Sequence, residues 1–445
     1  MGATLDLINF IRDLKYSNLE PEIIEKAKLC ILDLVGVALA GTGTDVFKII
    51  LHFSKGNFRK GNSTVFVKGE KFSECGASFL NAIAASSLDM DDGNRLAMGH
   101  PGSAIIPAAL AVAEAKGTNP KEFLAAIVAG YEVAVRISMS RTPFFMKHQY
   151  STGIWGGFGA VVAVGKILHF NEHLYQCAFG TVAAYSPFPP SNLSLKLNES
   201  MVKESIGWTC FTGCCSALMA ENGFTGSYDI LDDPSRYQIL NLANGLGKNY
   251  AILNTYFKPY ACCRWAHSTI DGVLYLVKKY NIHYRYIKEI RVKIFYEASR
   301  LSQRNSYKPR TIIEAQYSLP FSVALALFYN KLGPEELTES NLQNDKILEL
   351  AKKVKITVDP ELNRLFPQKT VAKIEIFEKD KVFETTVEYP RGNPERPLSN
   401  EELEDKFRSL TSKFLGNSTC TEVVEKIYNL EKLENLGTLM KMLTC

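Results

Sequence analysis

The sequence lacks the features that mark nucleic-acid-binding, membrane-spanning or secreted proteins. Its charges nearly cancel, with 51 Lys and Arg residues against 47 Asp and Glu residues and a formal net charge of +4. So weak a bias argues against a nucleic acid or a membrane surface as partner. No uncharged apolar run reaches the length of a membrane span, and the first residues contain neither the basic segment nor the apolar stretch of a secretory signal. We therefore expect a soluble, cytoplasmic protein.

The ten cysteines have the spacing of neither a disulfide framework nor a zinc site. Two pairs are adjacent, Cys214 with Cys215 and Cys262 with Cys263, and no two cysteines stand in the CxxC spacing of a zinc ribbon. We interpret the cysteines as small residues packed in the interior of a protein from a reducing compartment. A reactive thiol or a metal ligand is the alternative interpretation for each of them.

The first part of the chain has the apolar periodicity of helices. Residues 21–39 start with a proline, carry apolar residues at helical spacing and are followed by a Gly-Thr-Gly turn. Further helices are predicted over residues 108–116, 121–137 and 153–168. The last of these is rich in glycine and alanine, so it should pack closely against neighbouring helices.

Alternation typical of strands replaces the helical pattern after about Tyr286. The predicted strands cover residues 287–294, 354–359, 372–377 and 382–389. Ser399 and Glu402 then form a capping box that opens another helix. A chain of this length is expected to form two domains. We predict a mainly α protein with a helical domain over residues 1–264, a smaller inserted α+β domain over 265–398, and C-terminal helices over 399–445 that rejoin the first domain.

Three carboxylates in four positions form the first cluster with chemical potential. Asp89, Asp91 and Asp92 precede His100, and the segment lies between two apolar helical stretches, so a loop at the edge of a core is expected. Such an acidic run is more often a solvated loop or a helix cap. A metal site built from Asp89, Asp91 and His100 is a further interpretation, but no additional ligand at a recognisable spacing supports it.

The second cluster offers three cations within ten residues. Lys258, Arg264 and His267 can each bind or polarise a carboxylate, Arg264 through a bidentate fork and Lys258 as a point charge. The plainer alternative is the start of a helix that carries surface cations. Lys203, which lies between the two clusters along the chain, indicates nothing by itself.

At these clusters the sequence resembles the MmgE/PrpD family, whose members include methylcitrate dehydratases, cis-aconitate decarboxylases and iminodisuccinate epimerases. The resemblance follows the whole chain in order, through residues 22–41, 88–115, 130–137, 207–226, 257–271 and 390–407. It implies a helical domain interrupted by an α+β lid domain, pairing into a homodimer, and an active site between the domains that needs neither a metal nor an organic cofactor.

Individual positions match the functional positions of the family. Asp89, His100 and Lys258 match its aspartate, histidine and lysine motifs, and Lys203 matches a further lysine with a spacing one residue short. Gly93 stands where cis-aconitate decarboxylases have threonine. Their second catalytic histidine aligns without gaps with Tyr150, and His148 takes that place only with a longer loop.

The shared reaction step that the resemblance implies is removal of a proton next to a carboxylate, with cations placed where negative charge develops. We predict a lyase of the dehydratase or decarboxylase type that acts on a small di- or tricarboxylate. An epimerase of a succinate-like acid and a carboxylate-binding protein without turnover are the alternatives. The predicted catalytic residues are Asp89, His100, Tyr150 and Lys258, and the predicted substrate-binding residues are Asp92, Lys203, Arg264 and His267.

Overall fold

The structure is a computed structural model, and it describes residues 2–143, 145, 151–187, 199–302 and 306–444. In the first part of the chain, long helices are joined by short loops and by two pairs of very short strands. The helices are α1 (Ala3–Asp13), α2 (Pro21–Gly41), α3 (Asp45–Asn57), α4 (Glu74–Ser87), α5 (Pro101–Lys116), α6 (Pro120–Met139), α7 (Gly156–Ile167), α8 (Glu172–Tyr185), α9 (Ile206–Glu221) and α10 (Ile239–Ala243). Strand β1 (Ser63–Thr64) pairs with β2 (Lys71–Phe72), and β3 (Gly93–Asn94) pairs with β4 (Thr255–Tyr256).

The second part of the chain combines a four-stranded sheet with helices. The strands are β5 (Ile287–Ile294), β6 (Val354–Val358), β7 (Ala372–Glu378) and β8 (Lys381–Val387). The helices are α11 (His267–Tyr280), α12 (Tyr296–Ser299), α13 (Ile312–Gln316), α14 (Leu319–Tyr329), α15 (Glu339–Leu342), α16 (Asp345–Lys352), α17 (Pro360–Leu365), α18 (Asn400–Tyr428) and α19 (Gly437–Met442). No helix in the described part of the chain combines the length and the hydropathy that a membrane crossing requires.

Close helix packing in the first part depends on residues without a side chain. A Cβ atom on Gly41, at the end of α2, would lie 1.9 Å from the carbonyl oxygen of Ala84 in α4. A Cβ atom on Gly159 in α7 would lie 2.6 Å from the Cδ1 atom of Ile105 in α5. Real Cβ atoms do not approach so closely, so both helix pairs require glycine at the contact. The predicted close packing of the helix over residues 153–168 is confirmed.

The sheet has the order β6-β5-β7-β8, in which β5 is parallel to β6 and antiparallel to β7. The hairpin of β7 and β8 turns at Lys379, whose φ of 53° lies in the left-handed region. Ile290, Ile374 and Ile376 alternate with exposed or half-buried residues and are fully buried on one face of the sheet. The strands predicted from alternation therefore form with nearly the expected bounds.

The buried apolar residues form two clusters. One joins the helices of the first part of the chain and takes in residues of α18 and α19, including Phe407 and Leu439. The other is built around the sheet, α11 and α14, and also takes in Leu88 and Met90 from the loop after α4. The predicted mainly helical character is confirmed, as is the capping box at Ser399. The exact domain boundaries stay a prediction.

Candidate active site

A cavity of about 170 Å³ opens beside the acidic loop, where residues of both apolar clusters meet. Three segments supply its polar side: the loop from α4 to α5, the segment before α9, and Tyr317 just ahead of α14. Apolar side chains of α3, α4 and α9 supply most of the remainder. The titratable lining residues are Asp89, Asp91, His100, Lys203, Glu204 and Tyr317.

Asp89 follows Leu88, the C-cap residue of α4, and adopts a φ of 54°. A left-handed conformation costs a non-glycine residue about 1 kcal/mol or more, so the surrounding contacts must hold it in place. Lys258 supplies two of them, because its Nζ atom donates to the carbonyl oxygen and to Oδ1 of Asp89, each at 3.0 Å. The Nζ atom of Lys203 lies 3.6 Å from the same Oδ1 atom and donates to the carbonyl oxygen of Ser86 at 2.8 Å.

The charges of these three residues stabilise one another. Burial by itself would raise the pKa of Asp89, but the charges of Lys203 and Lys258 outweigh it and hold the pKa well below the usual value. Burial would lower the pKa of Lys258, yet Asp89 and Asp91 raise it above the usual value, so this lysine stays an ammonium ion. The two lysines and Asp89 therefore form a fixed ionic group, of which Lys203 lines the cavity.

Lys258 reaches Asp89 because two distant segments pair as strands. Gly93 pairs with Tyr256 and Asn94 pairs with Thr255, and Lys258 follows two residues after this pair of strands. A Cβ atom on Gly93 would lie 2.3 Å from the hydroxyl oxygen of Tyr256, so the tyrosine fills the space that a side chain at position 93 would need. Gly93, which stands where the resemblance places a threonine, is therefore matched by Tyr256 on the facing strand.

His100 caps the N-terminus of α5 and is 7% exposed. Its Nδ1 atom lies 2.8 Å from the backbone carbonyl oxygen of Asp92. Because a carbonyl oxygen only accepts hydrogen bonds, Nδ1 is the donor in this contact, and in a neutral imidazole the lone pair is then on Nε2. Nε2 lies 3.8 Å from Oε1 of Glu204, at the wall of the cavity. In the neutral form of this tautomer, Nε2 is able to accept a proton, and the ring lines the cavity.

The other two carboxylates of the acidic run hold the loop in shape. Asp91 accepts a hydrogen bond of 2.6 Å from the Ser103 hydroxyl. Asp92 accepts bonds from the backbone N–H of Gly102 at 3.0 Å and from the Tyr131 hydroxyl at 2.6 Å, and it does not belong to the cavity wall. Burial above all raises the pKa of Asp92 to about 7. The substrate-binding role predicted for Asp92 thus stays a prediction, while its observed contacts are with the protein.

Arg264 and His267 lie behind the cavity wall rather than in it. Arg264 donates to the backbone carbonyl oxygens of Arg391 at 3.0 Å and of Pro390 at 3.2 Å, and its guanidinium stacks over the ring of Tyr256. His267 accepts from Arg264 on Nδ1 and donates from Nε2 to the carbonyl oxygen of Cys262. Burial and the charge of Arg264 lower the pKa of His267 well below the usual value, so the ring is neutral. Direct substrate binding by these two residues stays a prediction.

Two lining residues were not predicted from the sequence. Glu204 accepts a hydrogen bond from the Thr152 hydroxyl at 2.9 Å, and that hydroxyl also accepts from the backbone N–H of His100 at 3.1 Å. Burial and the charge of Asp89 raise the pKa of Tyr317 well above the usual value, so it stays a phenol. The only sequence signal for Tyr317 is its place before Ser318 and Pro320, which start an apolar helix.

Tyr150 and its alternative His148 lie outside the described residues.

The oxygen atoms of the acidic loop are arranged around hydrogen-bond donors and lysines. Among the residues that the structure describes, no group of three or more His, Cys, Asp and Glu side chains has a geometry that could hold a metal ion. The nine cysteines of this part of the chain are free thiols. The functional groups of the site are therefore an imidazole, carboxylates, a phenol and ammonium groups.

Comparisons with known proteins first define the class of the protein. The chain is 26% identical to the cis-aconitate decarboxylase of Homo sapiens over 97% of this chain and 92% of the relative. It is 25% identical to the enzyme of the same name from Mus musculus, over 99% of this chain and 93% of the relative. It is 20% identical to the cis-aconitate decarboxylase of Aspergillus terreus, over 100% of this chain and 96% of the relative. These names point to an enzyme of the lyase class.

Family membership follows from matches to two domain descriptions. The MmgE/PrpD N-terminal domain matches residues 5–241, and the MmgE/PrpD C-terminal domain matches residues 260–430. Together they cover nearly the whole chain, which therefore belongs to the MmgE/PrpD family. The resemblance inferred from the sequence motifs is confirmed.

Proposed function

We propose that this protein is a cofactor-free lyase that removes a proton from the carbon next to a carboxylate of a small di- or tricarboxylic acid. The observation that carries the proposal is that His100 and Lys203 line one cavity, with Nδ1 of His100 held 2.8 Å from the carbonyl oxygen of Asp92. With Nδ1 donating to the carbonyl oxygen of Asp92, the lone pair of a neutral His100 ring is on Nε2, and Lys203 lines the same cavity as this ring. A base and a cation that share one cavity are what proton removal next to a carboxylate requires.

In the proposed mechanism, Lys203 binds the substrate carboxylate and Nε2 of His100 accepts the proton from the neighbouring carbon. The electron pair of the broken C–H bond moves into the carboxylate, whose growing negative charge Lys203 stabilises. Lys258 holds the carboxylate of Asp89, and this carboxylate in turn attracts the Lys203 ammonium group. Glu204, 3.8 Å from Nε2, stabilises the imidazolium that results. The phenol of Tyr317 remains as a proton donor on the same wall.

The second half of the reaction depends on the bond that breaks next. In dehydration, the electron pair left by the proton forms a double bond as hydroxide leaves with its own bonding pair. In decarboxylation, the C–C electron pair stays on carbon as carbon dioxide leaves, so that carbon then takes a proton from a donor such as a protonated His100 or the Tyr317 phenol. The names of the relatives favour the decarboxylase outcome. Return of the proton to the opposite face would give an epimerase, and a second proton donor such as the Tyr317 phenol is the observation that keeps this candidate. Binding of a carboxylate without turnover is the remaining alternative.

The setting of the site is part of the proposal. The two apolar clusters support an α+β lid domain over residues 265–398 that covers a helical domain of residues 1–264 and 399–445.

Family resemblance supports a homodimer, and so do large apolar side chains that are exposed on the single chain, such as Leu240 at 87%. The free thiols fit a cytoplasmic enzyme. Light scattering after gel filtration tests the dimer, since a monomer at working concentration would contradict it.

The experiment that tests the reaction is proton NMR in heavy water with citrate-like, aconitate-like and succinate-like acids. The proposal predicts that one of them loses its signal next to a carboxylate as deuterium enters, or is converted to product. Release of carbon dioxide, loss of water or inversion at carbon then identifies the outcome. Thermal stabilisation by an acid without exchange or product would support the binding protein instead, and the proposed reaction would be wrong.

A further inference from the structure

Two helices that line the cavity, α4 and α9, bring a pair of thiols together at their far ends. We propose that Cys75 and Cys215 are a modification site, which a peroxide oxidises to a disulfide that joins the two helices and slows the reaction. The modification site goes beyond the proposed function, and only the slowing rests on it. Neither thiol takes part in the proposed mechanism or lines the cavity.

The sulfur atoms of this region are in direct contact. Sγ of Cys215 lies 3.0 Å from Sγ of Cys75, and Sγ of Cys214 lies 3.9 Å from it. A disulfide needs a separation of about 2.05 Å, so the first pair has to approach by about 1 Å. Within the described residues, Cys75 and Cys215 are half-buried and Cys214 is buried. The two thiols in closer contact are therefore also the two that a small oxidant reaches more easily.

Cys75 has the surroundings of a reactive thiol. It lies in the first turn of α4, where the positive end of the helix dipole stabilises a thiolate. Contacts with the thiols of Cys214 and Cys215 lower the pKa of Cys75 below the usual value and raise the pKa of both partners. A thiolate beside a second thiol is the common arrangement of a redox-sensing cysteine and its resolving partner.

The oxidation uses one peroxide for each disulfide. The thiolate of Cys75 attacks one oxygen of hydrogen peroxide, the O–O bond breaks, and the released hydroxide becomes water with the proton that the Cys75 thiol gave up. Cys75 is then a sulfenic acid. The sulfur of Cys215 loses its proton and attacks Sγ of Cys75, and the S–O bond breaks as the hydroxyl group leaves with that proton as water. The two sulfurs lose two electrons in total, and the peroxide gains them.

The thiol pair is the last of three contacts that repeat along the antiparallel helices. Nearest the cavity, a Cβ atom on Gly207 would lie 2.5 Å from Cδ1 of Ile83. Four positions further along each helix, the rings of Phe79 and Phe211 have a centroid distance of 5.9 Å. The two thiols meet after another four positions. Because four residues span about 6 Å of an α-helix, the thiols lie about 12 Å along the helices from the cavity wall.

The cavity ends of the same two helices carry site residues. Asp89 follows α4, and Lys203 precedes α9. Nζ of Lys203 donates to the carbonyl oxygen of Ser86, in the last turn of α4, at 2.8 Å and lies 3.6 Å from Oδ1 of Asp89. The position of the Lys203 ammonium group therefore depends on the distance between these two helix ends.

A disulfide at the far ends changes that distance. Rotation of the cysteine side chains supplies part of the approach of about 1 Å, and movement of the helices supplies the rest. The close-packed rings of Phe79 and Phe211 do not compress, so the helices tilt about them and their cavity ends move apart. The contacts of Lys203 lengthen as a result. Since a displacement of about 1 Å costs about a hundredfold in rate, we expect the smaller shift here to slow the reaction about threefold to tenfold.

The first test maps the disulfide. The parent protein and Cys214→Ser are treated with graded hydrogen peroxide, and their peptides are analysed by mass spectrometry without reduction. Both proteins should give a linked peptide pair that contains Cys75 and Cys215 and that a thiol reductant separates. Cys263 is the internal control, because it is also half-buried but burial raises the pKa of its thiol to about 12, so it should stay unmodified. No linked pair, or a link from Cys75 to Cys214 alone, would overturn the inference.

The second test measures the heavy-water exchange rate before oxidation, after oxidation and after reduction. The rates of the parent protein and of Cys214→Ser should fall about threefold to tenfold on oxidation and recover on reduction. The rate of Cys215→Ser should be the same under all three conditions, because no link between the helices forms. A linked parent protein that exchanges at the full rate, or an equal and reversible loss in Cys215→Ser, would overturn the inference.

Failure of this inference and failure of the proposed reaction can be told apart. Mapping of the link does not depend on turnover, and calorimetry measures the affinity for an acid whether or not exchange occurs. If no acid exchanges in the untreated protein, the proposed reaction is wrong. In that case, a link that weakens the affinity for the acid would still support control of the site by the thiol pair, and an unchanged affinity in the linked protein would overturn it.

Discussion

Replacement of Lys258 by methionine should remove one of the two positive charges that stabilise the buried carboxylate of Asp89. The Nζ atom of Lys258 is fully buried and lies 3.0 Å from Oδ1 of Asp89. At an effective dielectric constant of about 20, unit charges 3.0 Å apart attract each other by about 5 kcal/mol. Lys203 remains 3.6 Å from the same carboxylate in the variant and retains part of this stabilisation. We therefore expect a loss of about 3 kcal/mol in the free energy of unfolding, near the lower end of the range for breaking a buried pair.

The assay is urea unfolding of Lys258→Met, Asp89→Asn and the double variant at neutral pH. The pKa of Asp89 is lowered in the folded protein, so the stability from its pairing is present above the ordinary Asp pKa of about 4 and is lost as the pH falls. Neutral pH therefore measures the whole effect. The double variant should be more stable than the sum of the single losses predicts, by about 2 kcal/mol, because neither member of the Asp89–Lys258 pair is then left charged without the other.

A matched control distinguishes the loss of a site residue from the loss of a buried ion pair elsewhere in the protein. Lys28 is also buried and contacts Oε2 of Glu431 at 2.9 Å, away from the cavity. Lys28→Met should lower stability and leave the exchange rate unchanged, whereas Lys258→Met should lower the rate by about a hundredfold or more. Additive losses in the three Asp89 and Lys258 variants, or full activity in Lys258→Met, would refute the reasoning.

Two further perturbations test the acidic loop. Because the pKa of Asp92 is raised to about 7, its protonated form stabilises the fold, and this contribution is complete below the ordinary Asp pKa and is lost as the pH rises through 7. In Asp92→Asn the decrease in the free energy of unfolding between about pH 5 and pH 8 should be smaller than in the parent protein by about 3 kcal/mol; equal slopes would contradict the assignment. Gly93→Ala should cost about 2 kcal/mol through the contact with Tyr256, while Gly56→Ala, with no atom within 4 Å of the added Cβ, should be neutral or stabilising; equal effects in thermal unfolding would disprove the role of Tyr256.

The site residues that could be predicted from the sequence are those that lie close together along the chain in short motifs. Asp89 and His100 belong to one loop between two apolar helices, and local periodicity places that loop at the edge of a core. Lys258 belongs to the predicted cation cluster and Lys203 was assigned through the family resemblance, and the structure brings both to Asp89. The helices and the hairpin of the fold were predictable for the same reason, since each is specified by residues that are close along the chain.

Contacts between distant segments were not predictable in this way. The guanidinium of Arg264 donates to carbonyl oxygens of residues 390 and 391, more than a hundred positions away, and no local pattern indicates these contacts. Glu204 gave no signal because an isolated Glu is usually a surface residue, and its role depends on the folding of Thr152 and His100 against it. Tyr317 enters the cavity from the second apolar cluster, so only the packing of the two clusters reveals it.

The measurement that tests the central claim most directly is the exchange rate of His100→Asn in heavy water, with the acid that the parent protein exchanges fastest. Asn retains a donor for the Asp92 carbonyl oxygen but has no group at the position of Nε2. If His100 removes the proton, the exchange rate should fall by about a thousandfold while the affinity for the acid, measured by calorimetry, changes less than about threefold. Exchange at the parent rate in a variant that still binds the acid would show that another group is the base.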